Sequence, residues 1–144
     1  MRAVVEKVKN ATLFSDGVKY SEIKEGYVIL FGVHETDTID KVPHFAQRLS
    51  RLRVFRDEND KMNLSIQDVK GEIMLVSNFT LYGDTSRNNR PSFSHAAQPE
   101  LAESIYLALA KELNQYAPTV TGVFRTHMDI QMTADGPGTF ILEE

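Results

Sequence analysis

Glu72-Ile73-Met74-Leu75-Val76-Ser77-Asn78-Phe79-Thr80-Leu81-Tyr82 is dense in apolar and β-branched residues. Such a run reads as a central, buried strand over 72–82. Its end carries a polar interruption, Ser77-Asn78-Phe79-Thr80-Leu81, and the ends of strands are where α/β proteins place ligands. Hydroxyls at such a place need partners. Neighbouring backbone can supply them to Ser77 and Thr80, so these residues alone leave a structural and a functional reading both open.

Working outward, Tyr27 to Val33 is a second apolar run and reads as another buried strand. Before it, residues 2–9 and 18–23 flank the turn chemistry of Ser15-Asp16-Gly17, which predicts a hairpin. After it, Val42, Phe45, Leu49 and Leu52 recur at helical spacing. They predict a helix over 41–53, with Asp40 as its cap and Pro43 in its first turn. Asp57 to Lys61 is a polar turn, and 83–98 is a loop longer than a connector needs, rich in Gly, Ser, Asn, Arg and Pro. A second helix follows Pro99, with Leu101, Ile105, Ala108, Leu109 and Leu113 on its apolar stripe. Phe124, Thr126, Met128, Ile130 and Met132 then alternate with Arg125, His127, Asp129 and Gln131, the period of a half-buried strand. Asp135-Gly136-Pro137-Gly138 breaks that strand, and Thr139 to Leu142 forms a short last one. No repeat or linker divides the chain, so residues 1–144 read as one mixed α/β domain.

Composition narrows the chemistry. The chain has 144 residues and no cysteine, which excludes disulfides, a thiolate nucleophile and thiolate metal sites. Its longest apolar run is far short of the ~20 residues of a membrane span. Arg2, Glu6, Lys7 and Lys9 interrupt any secretion signal, so a cytoplasmic location is expected. A formal charge of -4 argues against nonspecific coating of nucleic acid. The four histidines, His34, His44, His95 and His127, are far apart in sequence, and none has the i, i+4 spacing of a metal-binding helix. No metal site is expected. The phosphate loop, the dinucleotide fingerprint and the hydrolase nucleophile elbow are all absent.

MRAVVEKV, LRVF with DENDKMNLS, GEIMLVSNFTLYGD, NRPSF, HAAQPELAE, TGVF and DGP succeed one another along nearly the whole chain. In order and spacing this series resembles the D-aminoacyl-tRNA deacylase (D-Tyr-tRNA deacylase) family. The resemblance implies mixed β-sheets with two main helices packed on one side, in three β/β/α layers. It also implies a homodimeric hydrolase that cleaves the ester between a D-amino acid, or glycine, and the 3′-terminal adenosine of tRNA, as proofreading in translation, with no metal or organic cofactor. The family's Ser-Gln-Phe-Thr-Leu motif falls on Ser77, Asn78, Phe79, Thr80 and Leu81, and its Gly-Pro motif on Gly136 and Pro137. In the family the Gly-Pro bond is cis and reaches into the partner subunit's pocket. Proline admits a cis bond at small cost, and glycine lets main-chain carbonyls approach a ligand closely. A rigid wall of this kind can exclude the side chain of an L-amino acid and admit hydrogen.

Two mechanisms compete for Thr80. A threonine nucleophile needs a positioned base, and none lies in its local segment. The favoured expectation is that N–H groups around Phe79 and Thr80 stabilise the oxyanion, while water, assisted by the ribose 2′-hydroxyl, attacks the ester. The chain departs from the family at Asn78 (usually Gln), Arg125 (usually Gly), Ala134 and Gly138 (usually Asn and Val). These departures predict retained esterase chemistry with weaker chiral discrimination. Arg125 can contact a tRNA phosphate or point to solvent from the polar face of its strand, and solvent is the favoured expectation. For RNA phosphate, Arg87 and Arg90 in the long loop are preferred over Arg48, Arg51, Arg53 and Arg56, of which Arg56 can pair with Asp57 and Glu58. The alternatives are a noncatalytic tRNA-end binding module, and a hydrolase of small D-amino-acid esters or amides.

Overall fold

A computed structural model describes all residues, Met1 to Glu144. Its framework is one sheet with strand order β2-β1-β3-β6-β7, in which β8 also pairs with β1. The strands are β1 Arg2–Ser15, β2 Val18–Ile23, β3 Gly26–Gly32, β6 Glu72–Ser77, β7 Thr119–Thr121 and β8 Met128–Glu143, with a small separate hairpin of β4 Phe55–Arg56 and β5 Met62–Leu64. The helices are α1 Val42–Ser50 and α2 Pro99–Leu113. β3, β6 and β7 run parallel. Parallel neighbours need crossovers, and α1 and α2 supply them.

Both faces of the parallel strands are covered, which explains their continuous apolar sequence. On one face Tyr27, Ile29, Phe31, Ile73 and Leu75 pack with Phe45 and Leu49 of α1 and Ile105, Leu109 and Leu113 of α2. On the other, Val28, Met74 and Val76 meet Val8, Leu13 and Ile23 from the long antiparallel arm. In β6, Ile73, Met74, Leu75 and Val76 are all at most 3% exposed, each burial contributing about 1.5–3 kcal/mol. β1 pairs with β3 through its first half, with β2 through its second, and with β8 along nearly its whole length. The arm curls back over the sheet, where Ser21 Oγ donates to Thr121 O at 3.1 Å. The three expected layers result, with both helices on one side.

Several element boundaries differ from expectation for local reasons. The central strand ends at Ser77, and Phe79–Tyr82 forms a 3₁₀ turn. Asn78 causes this, because its side chain accepts from Thr80 N–H and draws the chain out of the ladder. The first strand continues to Ser15 instead of stopping near residue 9, since β8 supplies it with a partner throughout. The first helix is Val42–Ser50, led in by a 3₁₀ turn over Ile39–Lys41; Asp40 does not cap it, although Pro43 does fall in its first turn. The alternating segment becomes a strand only at Met128. Its predicted break is a four-residue bulge, because Ala134 pairs with Val8 and Thr139 with Glu6, leaving Asp135 to Gly138 opposite Lys7.

Candidate active site

β6 delivers Ser77 to the edge of a cavity of about 560 Å³. Asn78 N–H donates to Phe31 O at 2.7 Å, the last bond of the parallel ladder, and the chain then turns. Gly32 permits the turn to lie against β3. A Cβ there would stand 3.1 Å from Asn78 O and 3.2 Å from both Leu81 Cβ and Tyr82 Cδ2. Arg2 fastens the turn from the other side, donating to Leu81 O at 2.6 Å with its guanidinium 4.9 Å above the Tyr82 ring. Burial pushes the Tyr82 phenol up to about 12, so the ring stays neutral.

Within this turn the donors are unequally employed. Asn78 Oδ1 accepts from Thr80 N–H at 3.2 Å and from Thr80 Oγ1 at 2.5 Å. The Phe79 N–H has no acceptor in the chain. The half-buried Ser77 hydroxyl also has none. Ser77, Asn78 and Phe79 line the cavity, whereas Thr80 is exposed outside its lining. The hydroxyl of Thr80 is bonded to an amide oxygen, which is no base, and no histidine, lysine or carboxylate is bonded to it. Phe79 is 56% exposed and meets Phe93 edge to face at 4.9 Å, so an aromatic pair stands at the mouth. The remaining wall is mostly apolar, from Ala96, Ala97, Pro99 and Ala102 at the start of α2 and from Phe124 and Met128. Tyr106 holds that last part in place: its hydroxyl donates to Leu75 O at 2.8 Å and Gly122 O at 3.3 Å, and its ring lies 5.9 Å from Phe124.

Arg125 lines the same cavity. It is exposed, but it occupies a turn before β8 with φ 61°, not the polar face of a strand as the sequence pattern suggested. Thr126 closes that turn through a bond from its Oγ1 to Val123 O at 3.1 Å. The sequence offers no signal for Phe93 in the lining; Arg125 stands out there as a departure from the family's Gly, with solvent rather than this cavity as its favoured surroundings.

Gly136 and Pro137 are elsewhere. Their peptide bond is cis, and with Lys7, Phe55, Arg56 and Asp135 they line a separate cavity of about 730 Å³ that shares no residue with the first. Lys7, 5% exposed, reaches Asp135 Oδ2 at 3.1 Å, and its stem fills the space where a Cβ on Gly138 would sit, 3.3 Å from Lys7 Cβ. A single chain therefore does not bring the two motifs together. Arg87 and Arg90 line an all-polar cavity of about 360 Å³ with Ser92, Ser94 and His95, in the same loop whose Phe93 and Ala96 face the first cavity. Of the helix-one arginines, Arg48 is held by Glu144 Oε2 at 2.6 Å and Arg53 by Asn63. Arg56 pairs with Asp60 at 2.5 Å, in place of Asp57 and Glu58.

The fold also gathers His34, Glu35 and His95, distant in sequence, to within 4.8 Å of one another. These are metal-ligand types, and one nitrogen of each ring, Nδ1, already has a partner within the chain. His95 Nδ1 lies 3.0 Å from Glu35 Oε1, and His34 Nδ1 accepts from Thr36 N–H at 3.2 Å.

Comparison with known proteins identifies the family of the chain. The family model described as D-Tyr-tRNA(Tyr) deacylase matches residues 4–143. A D-aminoacyl-tRNA deacylase of Clostridioides difficile is 43% identical over 144 residues, covering 99% of this chain and 97% of the relative, and one of Thermosipho africanus is 40% identical with the same coverage. Among solved structures, the c-Myc DNA unwinding element binding protein is similar with a TM-score of 0.93 and 34% identity over 100% of this chain and 99% of that one. A probable eukaryotic D-amino acid tRNA deacylase shares the fold, with a TM-score of 0.85 at 14% identity, covering 98% of this chain and 97% of its own. Full-length agreement in sequence and topology places the chain in the D-Tyr-tRNA(Tyr) deacylase family, a family of hydrolases.

Proposed function

We propose that the chain, acting as one domain, hydrolyses the ester between a D-amino acid and the 3′-terminal adenosine of tRNA in the cytoplasm, removing wrongly handed residues before they enter translation. Glycine esters, including glycyl-tRNA(Ala), are substrates too, because a site that rejects by shape alone admits an acyl group with no side chain. The observation that carries this reading is the unoccupied Phe79 N–H at the cavity mouth, beside the free Ser77 hydroxyl. Asn78 consumes the Thr80 N–H, so the oxyanion donor is Phe79 rather than the pair expected from sequence. Water adds to the ester carbonyl, the oxyanion is held by Phe79 N–H, and the ribose 3′-oxygen departs with a proton, giving free amino acid and tRNA.

Chirality is read by Gly136 and Pro137 from a second copy. Their separation from Ser77–Phe79 within one chain supports a homodimer in which each cleft is completed by its neighbour. Arg87 and Arg90 meet RNA phosphate beside the cleft. Phe79→Pro tests the donor, since proline lacks the N–H and is tolerated at the first position of a helical turn. D-Tyr-tRNA deacylation by Phe79→Pro should fall by about 10²–10³ relative to Phe79→Ala. Equal rates for the two variants would remove Phe79 N–H from the reaction.

A further inference from the structure

Arg125 is the one charged residue lining the 560 Å³ cavity. Arg2, Arg48 and Arg56 are paired with carboxylates, whereas no group of the chain holds the Arg125 guanidinium. It projects from a turn residue at φ 61°, a conformation that disfavours a long side chain by about 1 kcal/mol and suits glycine. An unpartnered cation held in a strained turn at the rim of a largely apolar cleft calls for an anionic ligand. The same mouth carries the edge-to-face pair Phe79 and Phe93, a surface suited to a flat base. Aromatic planes and one guanidinium together match a nucleotide: base on the rings, phosphate on the arginine. A rim position also suits a group that stays partly hydrated.

We propose that Arg125 binds the 5′-phosphate of the 3′-terminal nucleotide and thereby makes this chain prefer substrates that carry the phosphate over the bare nucleoside. The inference rests on the deacylase reading but is tested separately from it. Two non-hydrolysable probes are compared, 3′-D-tyrosylamino-3′-deoxyadenosine with and without a 5′-phosphate, by calorimetric titration of the full chain. The phosphate-bearing probe should bind the wild type about tenfold more tightly, the effect of one exposed charge-assisted bond of ~1.4 kcal/mol. Arg125→Gly, whose backbone is at ease at this φ, should abolish that ratio, and Arg125→Lys should keep most of it. In turnover of D-Tyr-tRNA, Arg125→Gly should raise KM with little change in kcat. The same variant weakening both probes equally would overturn the proposal, because the arginine would then be structural. Selective loss on D-aspartyl-tRNA with an unchanged probe ratio would also overturn it, showing that the guanidinium serves a side-chain carboxylate. If the wild type fails to deacylate D-Tyr-tRNA yet keeps its phosphate preference, the deacylase reading falls and the phosphate site stands.

Discussion

Thr80→Ala separates the two chemistries open to this site. The substitution removes a hydroxyl whose one partner is Asn78 Oδ1, at 2.5 Å, and leaves the Thr80 N–H bond to the same oxygen, at 3.2 Å. Thr80 is exposed and does not line the cavity, so no desolvated group is orphaned. A neutral hydrogen bond in such a place is worth about 0.5–1.5 kcal/mol. Even if all of it were expressed in the barrier, turnover would slow only about 2–13-fold. Loss of a true nucleophile is far larger, of order 10⁶ in a serine protease. Single-turnover deacylation of D-Tyr-tRNA, with circular dichroism to verify folding, should find the variant within about tenfold of wild type. A loss beyond about 10³-fold in a folded variant would refute the backbone account and require a base for Thr80 that the structure does not provide.

Three further outcomes are expected. Asp37, 6% exposed, accepts from the Met1 ammonium and from His34 N–H, both at 2.7 Å; Asp37→Ala should cost about 3–5 kcal/mol and lower Tm by roughly 10 °C or more in calorimetry, and a shift of only a degree or two would mean the pair is not a structural tie. Tyr106→Phe removes the hydroxyl bonded to Leu75 O and Gly122 O; Leu75 O keeps the Gly122 N–H at 3.0 Å, so Gly122 O is the group left short, for a loss of about 1–3 kcal/mol. Because burial pushes the Tyr106 phenol up to about 12 from 10.0, its contribution is intact below pH 10 and fades as pH rises through about 12; the phenylalanine variant should lose less stability over that range. Bonds to His44 and then Arg48 hold the Glu144 carboxyl below its ordinary 4.5. That stabilisation is present above pH 4.5 and is lost as pH falls through the depressed value, so Tm of Glu144→Gln should depend less on pH there, and an identical acid profile would disprove the linkage.

Local pattern sufficed where one physical cause dominates. Continuous apolar runs at 27–33 and 72–77 meant strands covered on both faces, and the stripes of α1 and α2 meant helices laid on that sheet. Side-chain hydrogen bonding at a strand end was harder to foresee, and it cost the strand reading five residues: Asn78 chose a turn because its amide found Thr80 N–H. Pairing range misled at β1, whose second half, with Lys9, Asn10 and Thr12 around buried Ala11 and Leu13, is a strand because β8 runs beside it.

The amino-acid order by itself determined the fold class, the family and the identity of the motif residues, since hydrophobic periodicity and motif spacing are properties of neighbours along a chain. Tertiary structure alone decided which N–H remains free, that Thr80 stands outside the cleft, that Arg125 lines it, and that Gly136-Pro137 lies apart from Ser77–Phe79 in one chain. The free N–H follows from a bond two residues away, but the cavity lining and the separation of the motifs depend on segments about fifty to sixty residues apart finding their places in the fold, and contacts of that range leave no period in the sequence to read.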